Sequence, residues 1–494
     1  MSTLVQAREL GSVGFGKYGA VLTTLGLFSV VAQASLGAAA STLIAHSGAK
    51  SGKARNEVSQ AIIRLLLLFS VTGVLFLNLV APSVADRIYK APDLVIDFRI
   101  GSLALAVVAF QSVIDGFLAA NRLFSERNRL PIIQSATFLL LAASLTGLLG
   151  VPGAVLAYAG GAVVASAYGS FVLARVEVPF WPQFEGPEIK IYVMVIKFLT
   201  PLVANNIVVL AASWWISVWI ARGVAGFGDL GAYTLAVQMR LLVLTAPFFI
   251  QSTFSPILSH CSGDNDVAGL QATFESCARM SIGLSVIFGG AVIIGMPILS
   301  YILGHAFNDS TALVAVGSLV AFLMAVSNLL GTLLVATRRQ ATTVLPNLIY
   351  MVLIVGGVPL IASRYGGMGA MSALALAQGV QLVMLNQRSR VLQLGVPVLA
   401  PTFGGLVLLG LIGLSESQNN LTLHVVAAAV FLFSAILALA NMPEDFPIAG
   451  FLPLYARKRL ASLRTSVGRI PPTEHVSIVT GAIDGVGVDL PNIP

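Results

Sequence analysis

Few side chains in this sequence could do chemistry, because only 10% of its residues are charged against 57% hydrophobic. The informative ones sit inside apolar runs. Arg240 lies nine residues into a run near 232–258, ~13 Å deep at the rise of an α-helix. A charge at the centre of a membrane costs roughly 2.5–3.5 kcal/mol, so such residues face an interior. The planar guanidinium fork suits phosphate, which a lysine serves only as a point charge; a structural or snorkelling arginine is the competing reading. Tyr233, Pro247 and Gln251 share its helical face by seven- and four-residue steps. Lys197 sits ~8 Å inside a run near 192–220, with Pro201 and Asn205 continuing its face. A lysine there can also snorkel to the surface. Arg64 and Asp115 lie at similar depths in two other runs. They read either as an ion pair that avoids the desolvation penalty, or with Asp115 as a carboxylate coupled to protons or sodium. Gln33 and Ser35 precede the small-residue run Gly37–Ser41, where ligand contact and close helix packing both fit.

Other chemistries are excluded. Gly11 to Lys17 spells G-x4-G-K, but a phosphate loop needs Ser or Thr next and a strand before. Tyr18 follows instead, and only ten residues precede. Cys261 and Cys277 have no paired-ligand spacing, and His260 beside them does not complete a zinc set. No catalytic residue, metal site or cofactor is implied.

The elements that must hold these side chains are membrane helices. Thirteen apolar spans run near 19–45, 58–84, 98–120, 131–149, 154–174, 192–220, 232–258, 280–304, 311–336, 343–362, 369–386, 398–414 and 423–440. Each is about the length that crosses a ~30 Å hydrocarbon core. This predicts an all-α polytopic membrane protein. With the 46–57 loop on the cytoplasmic side, thirteen loop Lys and Arg fall inside and seven outside, and residues 441–494 add five more inside. The positive-inside rule therefore puts the C-terminus in the cytoplasm. The net charge of +7 speaks to membrane orientation and lipid contact and not to nucleic acid. Leu452, Leu454, Leu460 and Leu463 alternate with Arg457, Lys458, Arg459 and Arg464, the pattern of a basic amphipathic helix on a membrane surface.

A repeat organises the chain. Gly11–Tyr18 and Gly226–Tyr233 both read G-x4-G-x-Y before a long apolar run, 215 residues apart. Gly150–Ala154 recurs as Gly366–Ala370, and Ala120-Asn121-Arg122 as Ala336-Thr337-Arg338, each 216 residues apart. An even number of spans separates the copies, so the halves share one orientation about an axis along the membrane normal. The expected domains are an N-terminal lobe over 1–180, a C-terminal lobe over 190–390, two further helices within 398–440 and a tail over 441–494.

The two G-x-Y turns, Gly116–Phe124 and Arg364–Ala370 resemble the polysaccharide-type flippases of the multidrug/oligosaccharidyl-lipid/polysaccharide (MOP) exporter superfamily. The likeness runs from about residue 5 to 440. It implies two parallel, pseudo-symmetric MATE-like lobes around a cavity, with no enzymatic step. It further implies export of polyprenyl-diphosphate-linked oligosaccharides across the bacterial inner membrane for surface polysaccharide. Arg240, Lys197, Asn205, Gln251 and Gln33 would then line the cavity. Membrane lipids and a polysaccharide polymerase or export machinery are the implied partners. The family places a whole helix before the first G-x-Y where this sequence has ten residues, so the first of fourteen helices is expected to be missing. A cation-coupled drug antiporter, a peptidoglycan-precursor flippase and a non-transporting scaffold are the rival readings.

Overall fold

A computed structural model describes residues 2–390 apart from 34, 45–51, 177, 179–186, 225, 264–265, 305–306, 308–309 and 338. The expected spans at 398–414 and 423–440 and the basic tail lie outside the described residues. The long helices are α1 (Ser2–Gln33), α3 (Gly52–Ser83), α4 (Leu94–Ala120), α5 (Phe124–Leu149), α6 (Val151–Arg175), α7 (Ile189–Ala221), α8 (Phe227–Gly263), α9 (Val267–Ile294), α11 (Thr311–Ala336) and α12 (Val344–Arg390). Short pieces α2 (Leu36–Ala39) and α10 (Met296–Leu303) stand between them. Among the described residues ten helices are long and apolar enough to cross a membrane. Helices are the expected form, because only hydrogen bonds within the segment can satisfy its backbone in lipid.

The ten helices carry eleven of the expected spans. The runs near 343–362 and 369–386 join in α12, which kinks at Gly366 (φ 54°, ψ −135°). Gly150, the repeat counterpart of Gly366, has nearly the same geometry (φ 65°, ψ −136°) between α5 and α6. Gly11 and Gly226, which open the two G-x4-G-x-Y motifs, also share a left-handed φ of 64° and 59°. Asn121 (−90°, 7°) and Thr337 (−88°, 12°) close α4 and α11 with matching dihedrals. The sequence repeat is therefore a repeat of backbone geometry, and the chain forms two parallel pseudo-symmetric helical lobes.

Two local features differ from expectation. Residues 2–10, given no element above, are helical and continue across the kink at Gly11 into the rest of α1. Gln6 Nε2 donates to Ala154 O at 3.3 Å, which ties this turn to the start of α6. The span expected near 19–45 is not one helix. It stops at Gln33, passes through Ser35 in the left-handed region (φ 58°), and resumes as α2 and a π-helical turn, Ala40–Ile44. The break lets Gly37 lie on α4: a Cβ there would stand 2.4 Å from Ser112 Oγ, and one on Gly116 only 2.3 Å from Gly37 O. Close helix packing thus accounts for the small-residue run.

Replacing Gly150 or Gly366 by Ala forces an L-residue into the left-handed region, at about 1–2 kcal/mol. At Gly150 a Cβ meets nothing within 4 Å, whereas at Gly366 it meets Asp229 Oδ2 at 2.0 Å. Gly366→Ala is expected to lower the thermal unfolding midpoint of the purified protein more than Gly150→Ala. Equal shifts would count against this account.

Candidate functional site

The lobes meet where α1 crosses α8, and the repeat motif makes the crossing possible. A Cβ on Gly16 would stand 1.9 Å from Phe227 O, and one on Gly231 would stand 1.9 Å from Ser12 O. Gly16 and Gly231 are counterparts in the two motifs, so each half supplies the same glycine to the contact. One turn on, a Cβ on Gly19 would meet Thr234 Oγ1 at 2.1 Å. No side chain fits between these backbones. Around the seam, the Lys17 ammonium pairs with Asp93 and lies 5.9 Å from the centre of the Phe227 ring. Arg222 donates from Nε to Ile88 O at 2.6 Å and from Nη2 to Arg87 O at 2.5 Å. Phe15 meets Phe307 edge to face, 6.1 Å between ring centres.

Away from the seam the packing of α7 changes along its length. Its half near Ala221 is packed, with Ala212, Ile216, Ser217, Val218 and Ile220 buried. Its half near Ile189 is largely bare, with Val193, Met194, Ile196 and Ile207 exposed. Between these halves Asn206 Nδ2 donates to Ser35 Oγ at 3.1 Å, joining the lobes at the break in α1.

The residues singled out from the sequence do not all gather there. Arg240 shares a face of α8 with Tyr233 and Gln251, and that face turns into its own lobe. Tyr233 Cβ lies 3.4 Å from where a Cβ on Gly367 would stand, and Gln251 Nε2 donates to Ala325 O at 2.9 Å. Gln251 is 5% exposed, so its amide ties α8 to α11. Arg240 is half-buried, and its charge reaches the phenols of Tyr233 and Tyr350. Its Nε is buried without a hydrogen-bond partner, and among the described residues it forms no ion pair. Lys197 is exposed on the half of α7 near Ile189. Asn205 lies on the same helix, with its side chain outside the described ones. Gln33 lines a cavity of about 100 Å³ within the first lobe, with Ser29, Leu105 and Tyr158. Asp115 takes Arg127 as its partner, Nε standing 2.9 and 3.1 Å from the two carboxylate oxygens. Arg64 is half-buried and has an interaction of its own.

Sequence reasoning missed a chain of amides inside the second lobe. Gln378 Nε2 donates to Ser327 Oγ at 3.0 Å and to Gln381 Oε1 at 2.6 Å, and Gln381 Nε2 donates to Asn347 Oδ1 at 2.8 Å. Tyr350 follows Asn347 by one helical turn, so these amides and Arg240 belong to one polar region. The first lobe has a smaller version, Gln111 Nε2 to Gln134 Oε1 at 2.8 Å. Gln111 and Gln134 are the repeat counterparts of Ser327 and Tyr350. Only the doubled Asn205-Asn206 and the spaced glutamines in apolar runs signalled these positions in the sequence. The region thus combines hydrogen-bonded amides with the Arg240 guanidinium, whose Nε has no hydrogen-bond partner.

Separating the seam should expose it. Gly231→Ala, in a Ser12→Cys background, is expected to raise the rate of maleimide labelling at position 12 several-fold. Gly228→Ala, whose added Cβ meets nothing within 4 Å, should leave the rate unchanged. Equal rates in both would mean that the glycine contact does not hold the lobes together.

The chain shares its fold with solved transporters of low sequence identity. An inward-facing multidrug resistance MATE family transporter of the MOP superfamily aligns with a TM-score of 0.65 and 15% identity, covering 80% of this chain and 94% of that one. The lipid II flippase MurJ in an inward closed conformation gives 0.63 and 14%, covering 89% and 96%. A MOP superfamily transporter from Pyrococcus furiosus gives 0.58 and 15%, covering 79% and 91%. No curated protein matches in sequence. The family model described as "Polysaccharide biosynthesis protein" matches residues 3–262. That match covers more than half of the chain, which therefore belongs to the polysaccharide biosynthesis protein family.

Proposed function

We propose that this protein is a flippase that carries polyprenyl-diphosphate-linked oligosaccharides from the cytoplasmic to the periplasmic leaflet of the bacterial inner membrane, for surface polysaccharide synthesis. The observation that carries the reading is Arg240, a guanidinium inside the second lobe with a buried Nε that nothing satisfies. A buried donor left without an acceptor is costly, and a diphosphate would supply acceptors in the geometry a planar fork prefers. The amides of Asn347, Gln378 and Gln381 offer further hydrogen bonds to a sugar. Membership of a polysaccharide biosynthesis family supports the substrate class. The polyprenyl tail stays in lipid.

The positive-inside rule assigns the loops that flank Lys53, Arg55, Lys190 and Arg279 to the cytoplasm. Loading from the cytoplasm and release after the seam parts follow from that orientation. The 1–180 and 190–390 lobes move against each other about the α1–α8 crossing, and the helices within 398–440 and the cytoplasmic tail complete the chain. A polymerase that consumes the exported unit is the expected partner. Lys197 and Asn205, on α7, would meet the substrate at the cytoplasmic mouth, and Gln33 would contact it from the first lobe. The drug-antiporter reading needs a carboxylate open to a cation, whereas Asp115 is already engaged by Arg127.

Arg240→Gln should reduce surface polysaccharide ten- to one-hundred-fold at equal protein level, matching the roughly 1.5–3 kcal/mol of a hydrogen bond to a charged group. Arg240→Lys should retain part of the export. Normal export by Arg240→Gln would refute the diphosphate role. Asp115→Asn should leave export within about two-fold, since a partly exposed ion pair contributes ~1 kcal/mol or less. Complete loss at normal protein level would restore the coupling role to Asp115.

A further inference from the structure

Among the described residues Asp97 is the one acidic or basic side chain that is buried, at 5% exposure. It stands in the first turn of α4, and its Oδ1 has no hydrogen-bond partner. Among the described residues it forms no ion pair either. The ammonium that could satisfy it is committed elsewhere. Lys17 on α1 pairs with Asp93, one helical turn before Asp97, while its charge also acts on Asp97. Two carboxylates on one face of α4 thus share one ammonium, and the more exposed of them holds it.

The opposite lobe accounts for that choice. The Lys17 ammonium lies 5.9 Å from the centre of the Phe227 ring on α8, a cation–π contact across the seam. The same ring stands 6.5 Å from Tyr89, and Tyr89 stands 6.1 Å from Phe98, the neighbour of Asp97. Parting the seam takes Phe227 away from Lys17 and from this stack. The ammonium then has Asp97 within reach, because a flexible lysine stem spans one helical turn, about 5.4 Å. The scaffold does not ask for these charges. By the repeat, Lys17 corresponds to Ala232 and Asp97 to Leu313, which is buried in its own lobe at 6% exposure. The same corner is thus built from apolar residues in the second half. An unpartnered buried carboxylate destabilises the joined seam, and it offers Lys17 a partner in the parted one.

We infer that Lys17 is a two-position latch: it pairs with Asp93 while the seam is joined and moves one turn along α4 to Asp97 when the lobes part. Exchanging one ion pair for another lets the seam open without stranding a charge. Asp93 stabilises the joined state and Asp97 the parted one, so the two carboxylates act in opposite directions. The latch rests on the reading that the lobes part at this seam, and it is independent of what is carried.

The test uses the full chain in lipid nanodiscs, with maleimide labelling of Ser12→Cys reading how often the seam parts. Asp93→Asn is expected to raise the labelling rate about three-fold and Asp97→Asn to lower it about three-fold, the scale of one partly exposed ion pair. Asp97→Leu, which copies Leu313, takes the place of the asparagine variant if that one does not fold. Lys17→Ala, which copies Ala232, should remove both effects, because each acts through the ammonium. A carboxylate that acted only through its own burial would still change the rate beside Lys17→Ala. That outcome, shifts of both carboxylate variants in one direction, or no shift in either would overturn the latch while Gly231→Ala still raises labelling. No response to Gly231→Ala would overturn the parting seam and the latch together.

Discussion

Where α1 crosses α8, backbone lies against backbone, and much else in the molecule follows from that contact. A membrane gives helices no hydrophobic drive to associate, so close approach and dispersion must supply it. Gly16 and Gly231 supply it symmetrically, each leaving room for a carbonyl of the opposite lobe. The contact is short along the helices. Beyond it α7 loses its packing, and Asn206 with Ser35 is the bridge found at the break in α1. A narrow seal made of backbone and a few polar latches is suited to parting and reforming, because little apolar surface is exchanged when it opens.

Inside each lobe the physics is different. The interior is polar where the repeat allows it: Gln111 with Gln134 in the first lobe, and the longer chain through Ser327, Gln378, Gln381 and Asn347 in the second. Satisfied amides of this kind fix helix orientation at low cost. Arg240 lies beside such a network without being satisfied by it, which is why it carries the functional argument. The divergence between lobes is chemical, since the counterpart of Arg240 is Leu25 and that of Tyr350 is Gln134. The scaffold is thus symmetric while its contents are not.

The left-handed glycines connect these parts. Gly150 and Gly366 turn the chain at corresponding places with nearly equal dihedrals, so the same corner is built twice. Ser35 adopts a similar φ without being glycine, and its strain is balanced by the bond from Asn206 and the fit of Gly37 against α4. That corner has no counterpart among the left-handed residues of the second half. It marks the first lobe as the one whose helix at the seam is interrupted.

Local pattern alone determined that the chain over residues 2–390 is helical and that it carries a parallel repeat. Apolar runs of membrane length can satisfy their backbone only as helices, and Gly11, Gly150, Gly226 and Gly366 mark the same corners in either half. Orientation of side chains about those helices was only partly legible. The shared face of Tyr233, Arg240 and Gln251 followed from helical spacing, but spacing is silent on whether a face looks into its own lobe or across to the other. Tertiary packing decided that, and it turned Gln251 into a tie to α11 and gave Asp115 to Arg127. It also made the break at Ser35, since nothing near Ala34 is a proline and only the approach of Gly37 to Gly116 requires the bend.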